Sequence, residues 1–367
     1  MTTPSLNSRP YKPYNMQPSS VLFPKNRNSN LELLRIVCML FIICHHWIVF
    51  ILDNCGYNLP LGDTKQDYTS VFLNSFFIIG VNCYVLISGY FGIKLSWKPI
   101  KKIVGACLFY GALCYLISLA IPAFNLEGGG KFDVLTLLKR IYPGNWWFLM
   151  EYIVLILLSP MLNKSIENID SKTFRLYIIL LLIVNVGIGY CLNDRVNKTG
   201  YNIMNFIMLY YIGRFLHRNF EQHAACLKRK WLCLVYILSS VMLFLGFITL
   251  SKYVDSTRIA LKWFSYNNPL VLISSIAFFL IFALTKMKNS VAINTIAAST
   301  LVVYICHSSN LSMSPIIRAI FAKVNGWHDF PLSYVCLLGY AIVVFAVIVG
   351  FDVSMKTIIR NVKLIFK

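Results

Sequence analysis

The chain has 367 residues, of which 57% are hydrophobic and only 13% charged, with a mean hydropathy of +0.65 and a formal net charge of +20. That composition is far more apolar than a soluble globular domain allows and reads as a polytopic membrane protein. The 34 Lys and Arg residues are scattered in short clusters between apolar runs rather than gathered into one basic domain. The excess is therefore a topology signal, and no nucleic-acid partner is expected.

Residues 1–30 are polar, rich in Pro, Ser and Asn, and lack an apolar core. They read as a disordered cytoplasmic arm and not as a signal peptide. With roughly 20 residues needed to cross a bilayer, spans fall near 33–52, 71–93, 100–123, 145–163, 174–192, 203–217, 231–250, 269–285, 298–321 and 333–354. The sixth is short and the ninth is interrupted by Pro315. The expected fold is all-α, a bundle of about ten transmembrane helices over residues 31–354, followed by a basic tail at 355–367. Ten spans put both termini on one side. With the N-terminus cytoplasmic, the inner segments hold about twice as many Lys and Arg as the outer ones, so the positive-inside rule places both ends in the cytoplasm of a multi-pass cell-membrane protein. Most of the 11 cysteines lie inside apolar runs without CxxC spacing. Neither a zinc site nor a disulfide framework is expected, and no metal is called for.

Intramembrane ionisable groups are costly and mark function by default. In "NLELLRIVCMLFIICHHWIVF", residues 30–50, Arg35 precedes His46 by eleven residues. That is close to three full turns, so the two share a face about 16 Å apart along the axis, while His45 points elsewhere. One face thus offers a cation for an anionic cytosolic ligand and a deep imidazole as general base. Snorkelling of Arg35 to headgroups, and a histidine satisfied within the bundle, are the bland alternatives.

Further along, "SGYFGIKLSWKPIKKIVG" carries Lys98, Lys101 and Lys102, able to neutralise phosphates or simply to mark an inner turn. "PGNWWFLMEYIVLILLSPML" opens with Trp146 and Trp147, a membrane-interface belt or a stacking platform for sugar rings. Glu151 follows about a turn and a half inside, needing a partner such as Arg318 or a wet cavity. "STLVVYICHSSNLSMSP" brings Tyr304 and His307 to one helix face, with Ser308, Ser309 and Asn310 beyond, as interhelical glue or as the wall of a polar cavity.

In this order and spacing, these segments resemble the integral-membrane acyltransferase 3 family over residues 30–354. The Arg, ten residues, His spacing of Arg35 and His46 carries most of the likeness, supported by "FFIIGVNCYVLISGYF", "WWFLMEYIVLILLSPML" and "LVVYICHSS". The resemblance implies a ten-helix enzyme that moves an acyl group from cytosolic acetyl-CoA or another acyl-CoA to a hydroxyl of a cell-surface polysaccharide or lipid-linked sugar. It implies His46 as the essential histidine, acting as base or acyl carrier, and Arg35 as part of the donor site. Where the family often has two arginines after the second helix, this chain has Lys98 and Lys101, which bind phosphate as point charges without the planar fork. No esterase-like domain follows the last helix, which implies the stand-alone form. The competing classes are a transporter or flippase and a structural partner in polysaccharide export. The first is disfavoured because no pair of Gly- or Pro-broken helices is apparent in the two halves; the second leaves Arg35, Glu151 and His46 without a task.

Overall fold

The computed structural model describes residues 28–50, 65–120, 131–192, 194–197, 199–224, 227–254, 262–308 and 332–365. The N-terminal arm before 28, most of the loop at 53–70, Ser309, Asn310, Pro315 and Arg318 lie outside them. The described residues form an all-helical bundle, and eight stretches are long and apolar enough to cross a membrane.

In chain order these are α1 (Ser29–Phe50), α2 (Lys65–Phe77) with α3 (Gly80–Phe91), α4 (Trp97–Ala120), α6 (Trp147–Ile166), α7 (Ser171–Leu182), α10 (Arg229–Leu250), α12 (Val291–Ala297) with α13 (Thr300–Ser308), and α14 (Leu332–Ile365). Helix α7 runs on as a π-helix over Ile183–Leu192. Two further rods complete the expected ten, α9 (Ile203–Ala224) and α11 (Pro269–Ala283). Short helices α5 (Val134–Ile141) and α8 (Asp194–Asn197) lie in connections. The fifteen residues of α11 rise only about 22 Å, less than the roughly 30 Å of hydrocarbon. Helix α9 is longer than expected and carries Arg214, His217 and Arg218 in its second half.

Two spans are kinked. The second bends at Ile78 and Ile79, and the ninth starts at Val291 rather than 298 and bends at Ala298 and Ser299. Ile79 and Ala298 stay in the right-handed helical region, so these are bends and not unwound segments. Helix α14 continues unbroken to Ile365, so residues 355–365 prolong the same rod.

Helix α1 is the axis of the bundle, touching α2, α3, α11, α12, α13 and α14. In the most apolar 18 residues of Ser29–Val49 and of Asp67–Phe91, 61% and 78% are buried, against 11% in those of Ser171–Leu192, which faces outward. Lipid is as apolar as leucine, so close backbone approach holds such helices together. Where α3 crosses α9, a Cβ on Gly213 would lie 2.5 Å from the Leu86 carbonyl oxygen, and one on Gly89 would lie 2.4 Å from that of Tyr210. The "SGYF" glycine is thus a contact point between backbones. Pro160 inside α6 deprives the Ile156 carbonyl of its helical donor, and Ser159 Oγ donates to that oxygen at 2.7 Å instead. Buried asparagines tie the far ends together: Asn267 Nδ2 donates to the carbonyls of Asn185 and Asn197, and Asn82 Nδ2 to that of Tyr266.

Candidate active site

Arg35 and His46 both stand on α1, one near its start and the other near its end, with the helical repeat setting them on one face. Arg35 Nη1 donates to Glu32 Oε1 at 2.8 Å, and Glu32 is almost wholly buried while the arginine side chain is 25% exposed. Tyr84 of α3 donates its hydroxyl to the Arg35 carbonyl at 2.7 Å. The spacing of Glu32 and Arg35, i to i+3, is legible in "NLELLR" as a pair on one face.

The neighbouring histidines have different surroundings. His45 is buried and its Nδ1–H donates to Asn74 Oδ1 of α2 at 2.5 Å. His46 is only half-buried and faces α13, where its Nδ1 lies 3.1 Å from His307 Nε2. His307 Nδ1 sits 2.7 Å from the Val303 carbonyl oxygen, one turn back on its own helix. A carbonyl only accepts, so His307 carries its proton on Nδ1 and, as neutral imidazole, offers a lone pair at Nε2. His46 Nδ1 must then be the donor between the two rings. This chain of hydrogen bonds leaves the lone pair of His46 on Nε2, the arrangement of a base held in one tautomer by a second group.

Aromatic side chains extend from this pair. The ring centroid of Tyr304 lies 6.0 Å from His307 and 5.8 Å from Phe148, and Phe148 stacks on Tyr152 at 5.9 Å. Tyr84 meets Phe148 edge-on at 6.3 Å, and Ser88 Oγ donates to the Tyr152 hydroxyl, which leads back towards the Arg35 end. Trp147 meets Phe148 edge-on at 6.0 Å, packs against Tyr201 at 4.4 Å and stacks on Tyr266 at 5.8 Å. A run of packed aromatic side chains therefore extends from Tyr84, beside Arg35, through Phe148 and Tyr304 to His307, and through Trp147 to Tyr266.

Of the residues singled out in the sequence, His46, Tyr304 and His307 come together, with Trp147 one residue along α6 from the Phe148 that packs on Tyr304. The two tryptophans part company. Trp147 stays half-exposed among aromatics, whereas Trp146 is buried and its Nε1–H donates to the Ile305 carbonyl at 3.1 Å, fastening α6 to α13. Glu151 is half-buried in α6. Lys98, Lys101 and Lys102 are exposed on the first turns of α4. Phe148 and Tyr152 stand i to i+4 within "WWFLMEY" and were open to the same face argument; Tyr84 and Tyr201 carry no local signal.

Neither curated proteins nor solved structures yield a match to this chain. A family model described as an acyltransferase domain matches residues 28–350, nearly the whole chain. That match supports the enzyme reading over the transporter one. With the membrane-spanning bundle built around Arg35 and His46, it means that the chain belongs to the acyltransferase 3 family.

Proposed function

We propose that this membrane acyltransferase is an O-acyltransferase that takes an acyl group, acetyl in the simplest case, from cytosolic acyl-CoA. It delivers that group to a sugar hydroxyl of a cell-envelope polysaccharide or lipid-linked sugar. The observation that carries this reading is the pair of histidines inside the bundle, His46 with its lone pair on Nε2 and His307 holding it there. A sugar hydroxyl is a poor nucleophile until a base takes its proton, and neutral imidazole suits that role. His46 Nε2 takes the hydroxyl proton as the new acyl–oxygen bond forms and the thioester carbon–sulfur bond breaks, and then passes the proton to the departing sulfur. The donor supplies the acyl group already activated as a thioester. On this reading Arg35, oriented by Glu32, and the lysines of α4 face the anionic donor, while Trp147, Tyr304 and neighbouring aromatics offer ring faces to the sugar. Glu151 and Trp146 border that path from α6. The protein resides in the cell membrane with both ends cytoplasmic, so that donor and acceptor arrive from opposite faces.

Mass spectrometry of surface glycans from cells with and without the gene tests this reading. The expected result is an acetyl or longer acyl mass that disappears with the protein and with His46→Ala. Glycans unchanged in mass would overturn it.

A further inference from the structure

We infer that Arg214 is the phosphate-binding guanidinium of the donor site, a contact for the diphosphate of a CoA-type thioester. This rests on the acyl-CoA reading above and adds a residue that the sequence counted only as inner positive charge. The α3–α4 turn is held rigidly at the Arg35 end of the bundle. Gly92 takes a left-handed backbone at φ +75°, Ile93 N–H donates to the Tyr210 hydroxyl at 3.0 Å, and Asn163 Nδ2 donates to the Ile93 carbonyl at 2.7 Å. Tyr210 in turn donates to Asn163 Oδ1 at 2.6 Å. Arg214, one turn beyond Tyr210 on α9, lies against Gly92 so closely that a Cβ there would come within 2.9 Å of its Nη1. Just past this turn stand the exposed Lys94 and Lys98.

Arg214 is half-buried, and no carboxylate pairs with it among the described residues. Nη1 makes a long hydrogen bond to the Tyr90 carbonyl oxygen at 3.4 Å, and the buried Nε–H finds no acceptor among the described residues. A desolvated guanidinium without a counter-charge is costly, and an anion is what removes the cost. Arg35 differs, because the buried Glu32 already neutralises it. The lysines of α4 are exposed and carry no planar fork. Among the described cations at this end, Arg214 combines a charge without a carboxylate partner, partial burial and bidentate geometry, the combination that suits phosphate.

The experiment uses the full chain in phosphatidylcholine nanodiscs and measures the binding of CoA and of pantetheine, which lacks the phosphates, by calorimetry. Arg214→Ala is expected to weaken CoA binding by about 10- to 100-fold, the loss of a hydrogen bond to a charged group, and to leave pantetheine binding unchanged. Arg214→Lys, which keeps the charge but not the fork, is expected to weaken CoA by about tenfold and decides the matter where the alanine variant does not fold. Equal weakening of CoA and pantetheine would make Arg214 a structural residue and overturn the assignment. So would unaltered CoA affinity, or a loss confined to retention of added phosphatidylglycerol, which would mark a lipid-headgroup site. Absence of CoA binding in the unaltered protein would overturn the donor in the proposed function as well, whereas CoA binding insensitive to Arg214 overturns this inference alone.

Discussion

Replacing His307 separates the base from the group that orients it. His46 Nδ1–H donates to His307 Nε2 at 3.1 Å, and His307→Ala leaves that donor without its acceptor. Leaving such a donor unsatisfied costs about 1–3 kcal/mol, and at about 1.4 kcal/mol per factor of ten this predicts a roughly 5- to 150-fold loss of turnover. His46→Ala removes the base itself and should cost about 10²- to 10⁴-fold. His307→Gln keeps a side-chain acceptor and should recover to within about tenfold of the unaltered enzyme. His45→Ala breaks the bond to Asn74 in the packed core and is expected to lower thermal stability while sparing turnover per folded molecule. The assay is acyl transfer by nanodisc-embedded protein, followed by mass spectrometry of the acceptor and normalised to the folded fraction. A His307→Ala variant as inactive as His46→Ala would refute the assignment of His307 as the orienting partner. Full activity of His46→Ala would refute the base.

Gly213→Ala forces a methyl group to 2.5 Å from the Leu86 carbonyl oxygen, where backbone must yield, so it should destabilise the bundle by about 1–3 kcal/mol or more, visible as earlier thermal unfolding; an unchanged melting temperature would show that α3 and α9 separate freely. The Tyr110 hydroxyl donates to the buried carboxylate of Asp352 at 2.6 Å, and Lys356 pairs with the other oxygen. Tyr110→Phe should therefore cost about 1.5–3 kcal/mol, and in a double-mutant cycle with Asp352→Asn the two losses should be clearly less than additive. For sidedness, single cysteines at the exposed Ser96 and Lys131, in a background cleared of other accessible thiols, should differ towards a membrane-impermeant thiol reagent on intact cells. Labelling at Lys131→Cys alone supports the topology that the mechanism requires, and labelling at Ser96→Cys alone inverts it.

The residues themselves determined what depends on composition and local periodicity. An apolar, sparsely charged chain must satisfy its backbone internally, so helices across a membrane follow, and the 3.6-residue repeat alone puts Arg35 and His46 on one face. The same repeat pairs Glu32 with Arg35 and Tyr304 with His307. Helix lengths were less legible, because α9 continues past its apolar half and the ninth rod begins seven residues early, where α12 packs against α1. Only the tertiary structure decided which side chains share a space. His46 and His307 are 261 residues apart, and no local pattern says which faces of α1 and α13 meet. Trp146 and Trp147 are adjacent and chemically identical, yet the position of Ile305 on another helix buries one, while the other remains among aromatics at the edge of the site. Arg214 and Lys98 look alike as inner positive charge, and the difference between them arises from α9 crossing α3 at Gly89 and Gly213, where the absence of side chains lets the half-buried guanidinium reach the Gly92 turn.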